Sequence, residues 1–173
     1  MTTAHPVDAS PQSPPGLVIR TAGPHDIDAV VTLRLALLRE EARSPLFANP
    51  RRDMAEQARS LSEAQLLSPT EVILLATDDG VAVGVLRCSV SRGARLVRPL
   101  RYGFLTSVYV RPSYRRRGVL RSLLSAAEAW CRARGLREVR LHCTVENAEG
   151  HAAWDALGYR AAEVVRRRII GEG

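Results

Sequence analysis

Residues 107–124, Ser-Val-Tyr-Val-Arg-Pro-Ser-Tyr-Arg-Arg-Arg-Gly-Val-Leu-Arg-Ser-Leu-Leu, constrain the fold more than any other stretch of the chain. Tyr102 to Val110 is rich in β-branched and aromatic residues and reads as a strand, closed by Pro112. Gly118 opens a helix running to Arg134, with Leu120, Leu123, Leu124, Ala127 and Trp130 along one face, and Gly135 ends it. Val139 to Thr144 is then a strand with Val139, Leu141 and Cys143 on one side and Arg140, His142 and Thr144 on the other. A strand–helix–strand unit of this length makes its two strands parallel. The first-turn amides of the helix have no partners inside it, so the junction at Gly118 is a ready anion site. Arg115, Arg116, Arg117 and Arg121 surround that junction.

The remaining segments complete a mixed sheet. Leu17 to Thr21 is a short strand, Pro24 suits a first helical position, and Val30, Val31, Leu35 and Leu38 recur at helical spacing from Ile27 onward. A second helix is expected from Pro50, presenting Met54, Ala58 and Leu61. Glu71 to Thr77 and Val81 to Val90 flank Asp78-Asp79-Gly80, a hairpin signal. A helix from Asn147 to Leu157, a break at Gly158 and a last strand from Val164 to Ile170 close the chain. The expected order is β, α, α, β, β, β, α, β, α, β, an α/β (α+β) fold with an antiparallel hairpin beside a parallel pair.

At 173 residues the chain predicts one compact domain, over 17–170, after a Pro-rich flexible leader over 1–16. All 25 basic residues are Arg, which excludes Schiff-base chemistry and a Gly-Lys-Ser/Thr phosphate loop. The net charge of +7 and the bidentate guanidinium fork favour an anionic ligand. Neither the three cysteines (Cys88, Cys131, Cys143) nor the four histidines (His5, His25, His142, His151) have metal-ligand spacing, so no metal is implied. No apolar run reaches the ~18 residues of a membrane span, and residues 1–16 lack signal-peptide character, so a cytoplasmic protein without a membrane partner is expected.

Two stretches resemble the GNAT superfamily of acetyl-CoA-dependent N-acetyltransferases. Val108-x-Val110-x-Pro112-x-Tyr114-Arg115-x-x-Gly118 is similar to the family's acetyl-CoA-binding motif, Gln/Arg-x-x-Gly-x-Gly/Ala after a bulged strand. Downstream, Asn147-Ala-Glu-Gly-His151-Ala-Ala-Trp154-Asp-Ala-Leu157-Gly158-Tyr159 resembles the segment Asn-x-x-Ala-His-x-x-Tyr-x-x-x-Gly-Phe. The resemblance implies a mostly antiparallel twisted sheet with a central parallel pair splayed around the cosubstrate and helices on both faces. It also implies that backbone groups of Val108, Tyr109 and Val110 hold the pantetheine arm and the acetyl carbonyl. The pyrophosphate would then sit on the amides of Arg116, Arg117, Gly118, Val119, Leu120 and Arg121, with Arg115 beside it. Asn147 and Trp154 would contact the pantetheine and sulfur region. An amine attacks the thioester directly, with no covalent enzyme intermediate, and a homodimer is common in such proteins.

Departures from the pattern bear on the chemistry. Arg116 and Leu120 stand where small residues are usual, and Leu120 is expected to turn onto the apolar face of its helix. Trp154 occupies the position where many members carry a thiolate-protonating tyrosine, so either the thiolate leaves unassisted or another hydroxyl, such as that of Tyr109 or Tyr114, serves as acid. Thr106 replaces a carboxylate on the bulged strand. The position matching a relative's catalytic Glu holds His142, and an imidazole with its ordinary pKa of ~6.5 is a candidate general base beside Glu146, Glu71 or water. Arg34, Arg39, Glu40, Glu41 and Arg43 are candidates to line the acceptor pocket. The arginines there favour an acidic acceptor over an aminoglycoside, because polycations suit acidic clefts. The alternatives are an acyl-CoA-binding sensor or scaffold of the same fold, and a basic nucleic-acid-binding module. The latter lacks a helix-turn-helix, zinc pattern or aromatic platform.

Overall fold

The computed structural model describes residues 16–171, so the leader expected over 1–16 lies outside the described residues apart from Gly16. Its elements in chain order are β1 (Leu17–Thr21), α1 (Ile27–Glu41), α2 (Met54–Leu66), β2 (Glu71–Asp78), β3 (Val81–Arg92), β4 (Arg101–Val110), α3 (Val119–Arg132), β5 (Val139–Leu141) and α4 (Ala148–Ala156). The strands form one sheet in the order β1-β2-β3-β4-β5. The first three pairings are antiparallel, and β4 with β5 is parallel.

Strand alternation feeds two cores. Val72, Leu74, Leu86, Cys88, Leu105 and Val110 pack against Val119, Leu123, Leu124, Ala127 and Cys131 of α3. On the other face Ile73, Leu75, Val85 and Tyr109 meet Ala22 and the α1 residues Val30 and Leu33. Leu75, Leu86 and Leu123 are fully buried, and burying each such side chain stabilises by ~2 kcal/mol. These two cores fix the sheet rigidly on both faces, and the site is built on its β4–β5 side.

The structure corrects five expectations. Helix α2 begins at Met54 rather than Pro50, because Asp53 is the residue that engages the chain before and after it. Its carboxylate takes both Arg51 donors at 2.8 Å and Gln57 Nε2 at 3.0 Å. Leu61 is 56% exposed. The α2 residue facing inward is Ser62, whose hydroxyl accepts from Arg34 Nη1 at 2.6 Å. The strand expected over Val139–Thr144 stops at Leu141.

The last expected strand, Val164–Ile170, does not form; its four apolar side chains are 66–90% exposed. The reason is the pattern. Val164-Val165 and Ile169-Ile170 come as adjacent pairs around Arg166, Arg167 and Arg168, so neither face of an extended chain would be apolar. Arg167 instead donates to the Pro45 carbonyl at 3.1 Å. The parallel pair therefore closes one side of the described sheet rather than lying at its centre.

Candidate active site

A bulge and a splay create the site. Opposite Val85 and Arg87 of β3 stand Tyr109 and Thr106 of β4, so β4 carries one extra residue there. Ser107 absorbs it at φ +51°. Because of that extra residue Thr106 and Tyr109 both face α1, while Leu105 and Val110 face α3. The β4–β5 ladder runs only from Gly103–Val139 to Leu105–Leu141. Beyond it β4 continues to Val110 without β5 alongside, and the two strands open into a gap.

At the far end of that gap the chain makes a single turn at Pro112–Tyr114, passes Arg116 at φ +59°, and enters α3 through Gly118 at φ +80°. Gly118 caps the helix in the left-handed region, which glycine adopts without steric cost. Its carbonyl accepts from Ser122 N at 3.0 Å, leaving the preceding first-turn amides outside the helical ladder. Arg116, Arg117 and Arg121 are exposed around this turn, and Arg117 lies over the Tyr114 ring at 5.8 Å. Val119 is buried, and Leu120 packs against the α3-side core, as expected from its helical phase. Free amides, a left-handed glycine and exposed guanidiniums suit a diphosphate, and the gap beyond suits an extended thioester arm.

Arg115 is placed differently from its neighbours. Its guanidinium turns toward α1, donating to Glu40 Oε2 at 2.6 Å and Glu149 Oε2 at 3.4 Å, with Nε on the Val110 carbonyl at 3.0 Å. It thereby joins an open cleft of about 570 Å³ lined by Arg39, Glu40, Glu41, Arg43, Ser44, Arg115, Thr144, Glu146, Asn147, Ala148 and Glu149. Four carboxylates face three guanidiniums there, in a chain whose net charge is +7. The cleft is a local inversion of the protein's charge, contrary to the acidic acceptor that the arginine content favoured. Glu40 and Glu41 were legible as candidate lining residues. Glu149 was not, since nothing in its helix's pattern distinguishes it from a solvated position.

Tyr109 is buried at the cleft's edge. Its hydroxyl donates to Glu40 Oε1 at 3.3 Å, and Arg115 lies over its ring at 5.7 Å. Burial, and then the neighbouring Glu40 charge, push the phenol above its ordinary value. His142 is exposed on the α1 side and packs edge-on against Phe104, ring centres 5.0 Å apart. Asn147 caps α4, its Oδ1 accepting from Gly150 N at 2.8 Å while Nδ2 donates to Glu41 at 3.0 Å. Trp154 is half-buried edge-on to Tyr159 at 5.3 Å. Burial pushes the nearby Cys143 thiol up. Cys88 and Cys131 lie buried with sulfurs 3.5 Å apart, and the Cys88 thiol is raised by that contact and by burial. The same contact lowers the Cys131 thiol, but Cys131 is buried in the α3-side core, so none of the three combines a lowered pKa with access for a substrate. Among the described residues no His, Cys, Asp and Glu cluster could hold a metal, and no helix is long and apolar enough to cross a membrane.

A bulged strand, a splayed parallel pair and an anion cradle at the next helix define a coenzyme A-dependent acyltransferase. The comparisons with known proteins agree. A profile of the Acetyltransferase (GNAT) family matches residues 35–159. An aminoglycoside N(6')-acetyltransferase type 1 of Stenotrophomonas maltophilia is 36% identical over 151 residues, covering 85% of this chain and 88% of that protein. A solved aminoglycoside N-acetyltransferase AAC(6')-Iy with a CoA–acetylneamine bisubstrate analogue superposes with TM-score 0.72 at 25% identity, covering 88% of this chain and 99% of that one. A predicted acetyltransferase from Clostridium acetobutylicum with acetyl-CoA shares the fold, with TM-score 0.73 at 16% identity and coverage of 88% and 96%. The chain belongs to the GNAT family: it is an acyltransferase that uses acetyl-CoA as cosubstrate to acetylate an amine.

Proposed function

We propose that the acceptor is a polycationic amino sugar, acetylated on a primary amine like the 6'-amine in the relatives' names. The observation that carries this reading is the charge inversion at the cleft, four carboxylates on a protein of net charge +7. A cleft of that sign concentrates a cation that the rest of the surface repels. Glu146 and Glu149 are exposed there and suit ammonium groups, while Arg115 neutralises part of Glu40.

The chemistry needs little beyond positioning and proton transfer. Backbone groups of Val108, Tyr109 and Val110 hold the thioester along the bulge, and the turn from Arg116 to Arg121 holds the diphosphate. An amide N–H polarises the acetyl carbonyl as charge builds on its oxygen. In this reading His142, packed edge-on against Phe104, takes a proton from the attacking ammonium, and Tyr109, past the bulge on the α1 side of β4, gives one to the departing thiolate. The Tyr109 phenolate regains a proton from water and the His142 imidazolium releases one to water, which closes the cycle, while Glu40 accepts from the Tyr109 hydroxyl and orients it.

The open edge of β5 and the exposed apolar residues of 164–170 favour a homodimer, and use of acetyl-CoA favours a cytoplasmic setting. The test is steady-state CoA release with neamine, spermidine and glutamate as amines, repeated with His142→Ala. Neamine should give the highest kcat/KM, and the variant should lose at least tenfold in kcat. A preference for glutamate would overturn the polycation reading, and unchanged turnover in His142→Ala would remove that side chain as base.

A further inference from the structure

Two consecutive residues of α1 reach across the mouth of the β4–β5 gap and grip opposite sides of it. Glu40 takes the β4 side, accepting from Arg115 Nη2 at 2.6 Å and the Tyr109 hydroxyl at 3.3 Å. Glu41 takes the β5 side, accepting from the Thr144 hydroxyl at 2.8 Å and Asn147 Nδ2 at 3.0 Å. Between these grips the sheet itself supplies nothing, because the β4–β5 ladder has ended at Leu105–Leu141. The chain after β5 has also lost its strand geometry by His142. Asn147 passes the grip on: its Oδ1 holds Gly150 N, and its carbonyl accepts from His151 N at 3.0 Å, so the first turn of α4 moves with it.

We propose that Glu40 and Glu41 are positioning residues, a clasp that sets the width of the β4–β5 gap and thereby the affinity for the thioester arm of acetyl-CoA before any acceptor arrives. The claim rests on the assignment of the gap to acetyl-CoA and not on which amine is acetylated. Neither glutamate belongs to either core, and Glu40 is 43% exposed, so the fold does not depend on them. What depends on them is the separation of two segments that lack mutual hydrogen bonds. Losing the Glu41 carboxylate releases Thr144 and Asn147, and the segment 142–147 gains conformations in which the slot is too wide or too narrow. Affinity falls by the fraction of the population that is no longer competent.

The experiment is calorimetric titration of the full chain with CoA alone, in the absence of any amine, for the parent protein, Glu41→Ala, Glu41→Gln and Glu40→Ala. Both alanine variants should bind CoA about three- to tenfold more weakly, the factor by which the binding-competent fraction of the gap falls. Their Tm should stay within about 2 °C of the parent. Glu41→Gln should recover most of the affinity, because its amide oxygen still accepts from Asn147 or Thr144. The clasp is overturned if Glu41→Ala binds CoA as tightly as the parent, including the case in which only the KM for the amine rises. It is equally overturned if affinity and Tm fall together and glutamine restores neither. Failure of the parent chain to bind CoA is a different result, which removes the assignment of the gap itself.

Discussion

Gly118 and Gly135 bracket α3 and share one backbone requirement, which allows a controlled test of the anion cradle. Both lie in the left-handed region, at φ +80° and φ +70°. An alanine at either position costs about 1 kcal/mol or slightly more, because Cβ crowds the following carbonyl. For a domain of this size that is a fall in Tm of roughly 2–4 °C. A Cβ added at Gly135 meets nothing within 4 Å, so Gly135→Ala carries the backbone penalty alone. Gly118→Ala carries the same penalty and also places a methyl group at the turn where the first-turn amides of α3 must approach a diphosphate. Displacing the diphosphate enough to lose one or two charge-assisted hydrogen bonds costs roughly 1.5–3 kcal/mol, or about ten- to a hundredfold in affinity. Thermal unfolding of the two variants with and without CoA, together with calorimetric Kd values, separates the effects. Both should melt a few degrees low, and only Gly118→Ala should lose CoA affinity. Equal CoA affinity in the two variants would refute the cradle at Gly118.

Other consequences follow from particular contacts. Asp26 is buried against Arg20 at 2.6 Å, and that hydrogen bond, helped by the Gly23 amide, holds its carboxyl down to about 2. A carboxyl depressed in the folded state stabilises at every pH above its unfolded pKa of ~4 and loses that contribution as pH falls toward 2. Asp26→Asn should therefore cost about 1–2 kcal/mol in denaturant unfolding at pH 7, and the difference from the parent should close by pH 2 to 3. Arg34 is 94% buried with Nε and Nη2 unpartnered, and burial, followed by the Arg87 charge, lowers its pKa to about 10. Arg34→Met keeps the length and removes a poorly compensated charge, so unfolding should show it neutral to about 1 kcal/mol more stable; a loss above about 2 kcal/mol would mean that the guanidinium has found partners. Tyr109→Phe should lower kcat about ten- to a hundredfold, with CoA affinity falling by no more than about threefold because Arg115 still holds Glu40. Because its phenol is raised, the parent's kcat should hold through pH ~10, where an ordinary tyrosine ionises, and a fall below that in a pH–rate profile would exclude Tyr109 as the acid.

The parts of the fold that were legible in the sequence are those dictated by local chemistry. Helix α3 follows from apolar residues at helical spacing between two glycines, and the β2–β3 hairpin follows from Asp78-Asp79-Gly80. The parallel β4–β5 pair follows from the connection that joins them. Tyr109, Gly118 and Asn147 were singled out because their types and spacing resemble a family pattern. What was illegible depends on tertiary partners. Leu61 looked like a core residue and is exposed, because Arg34 draws Ser62 inward instead. Residues 164–170 are strongly β-forming by type, yet their apolar side chains are paired rather than alternating. Arg115 was assigned by sequence to the anion cradle, and its guanidinium turns instead toward Glu40 on α1, 2.6 Å away, a tertiary contact that spacing does not reveal. Net charge is likewise silent on a single cleft, where four carboxylates face three guanidiniums in a chain of overall +7.

This chain passes acetyl groups from acetyl-CoA to an amine, and the acceptor proposed for it is a polycation. The most direct test of this account incubates the protein with acetyl-CoA and neamine and measures free thiol and acetylated neamine in the same sample by mass spectrometry. One monoacetylated neamine should appear for each CoA thiol released. Thiol released without acetylated amine, or acetyl-CoA bound with neither product formed, would contradict it.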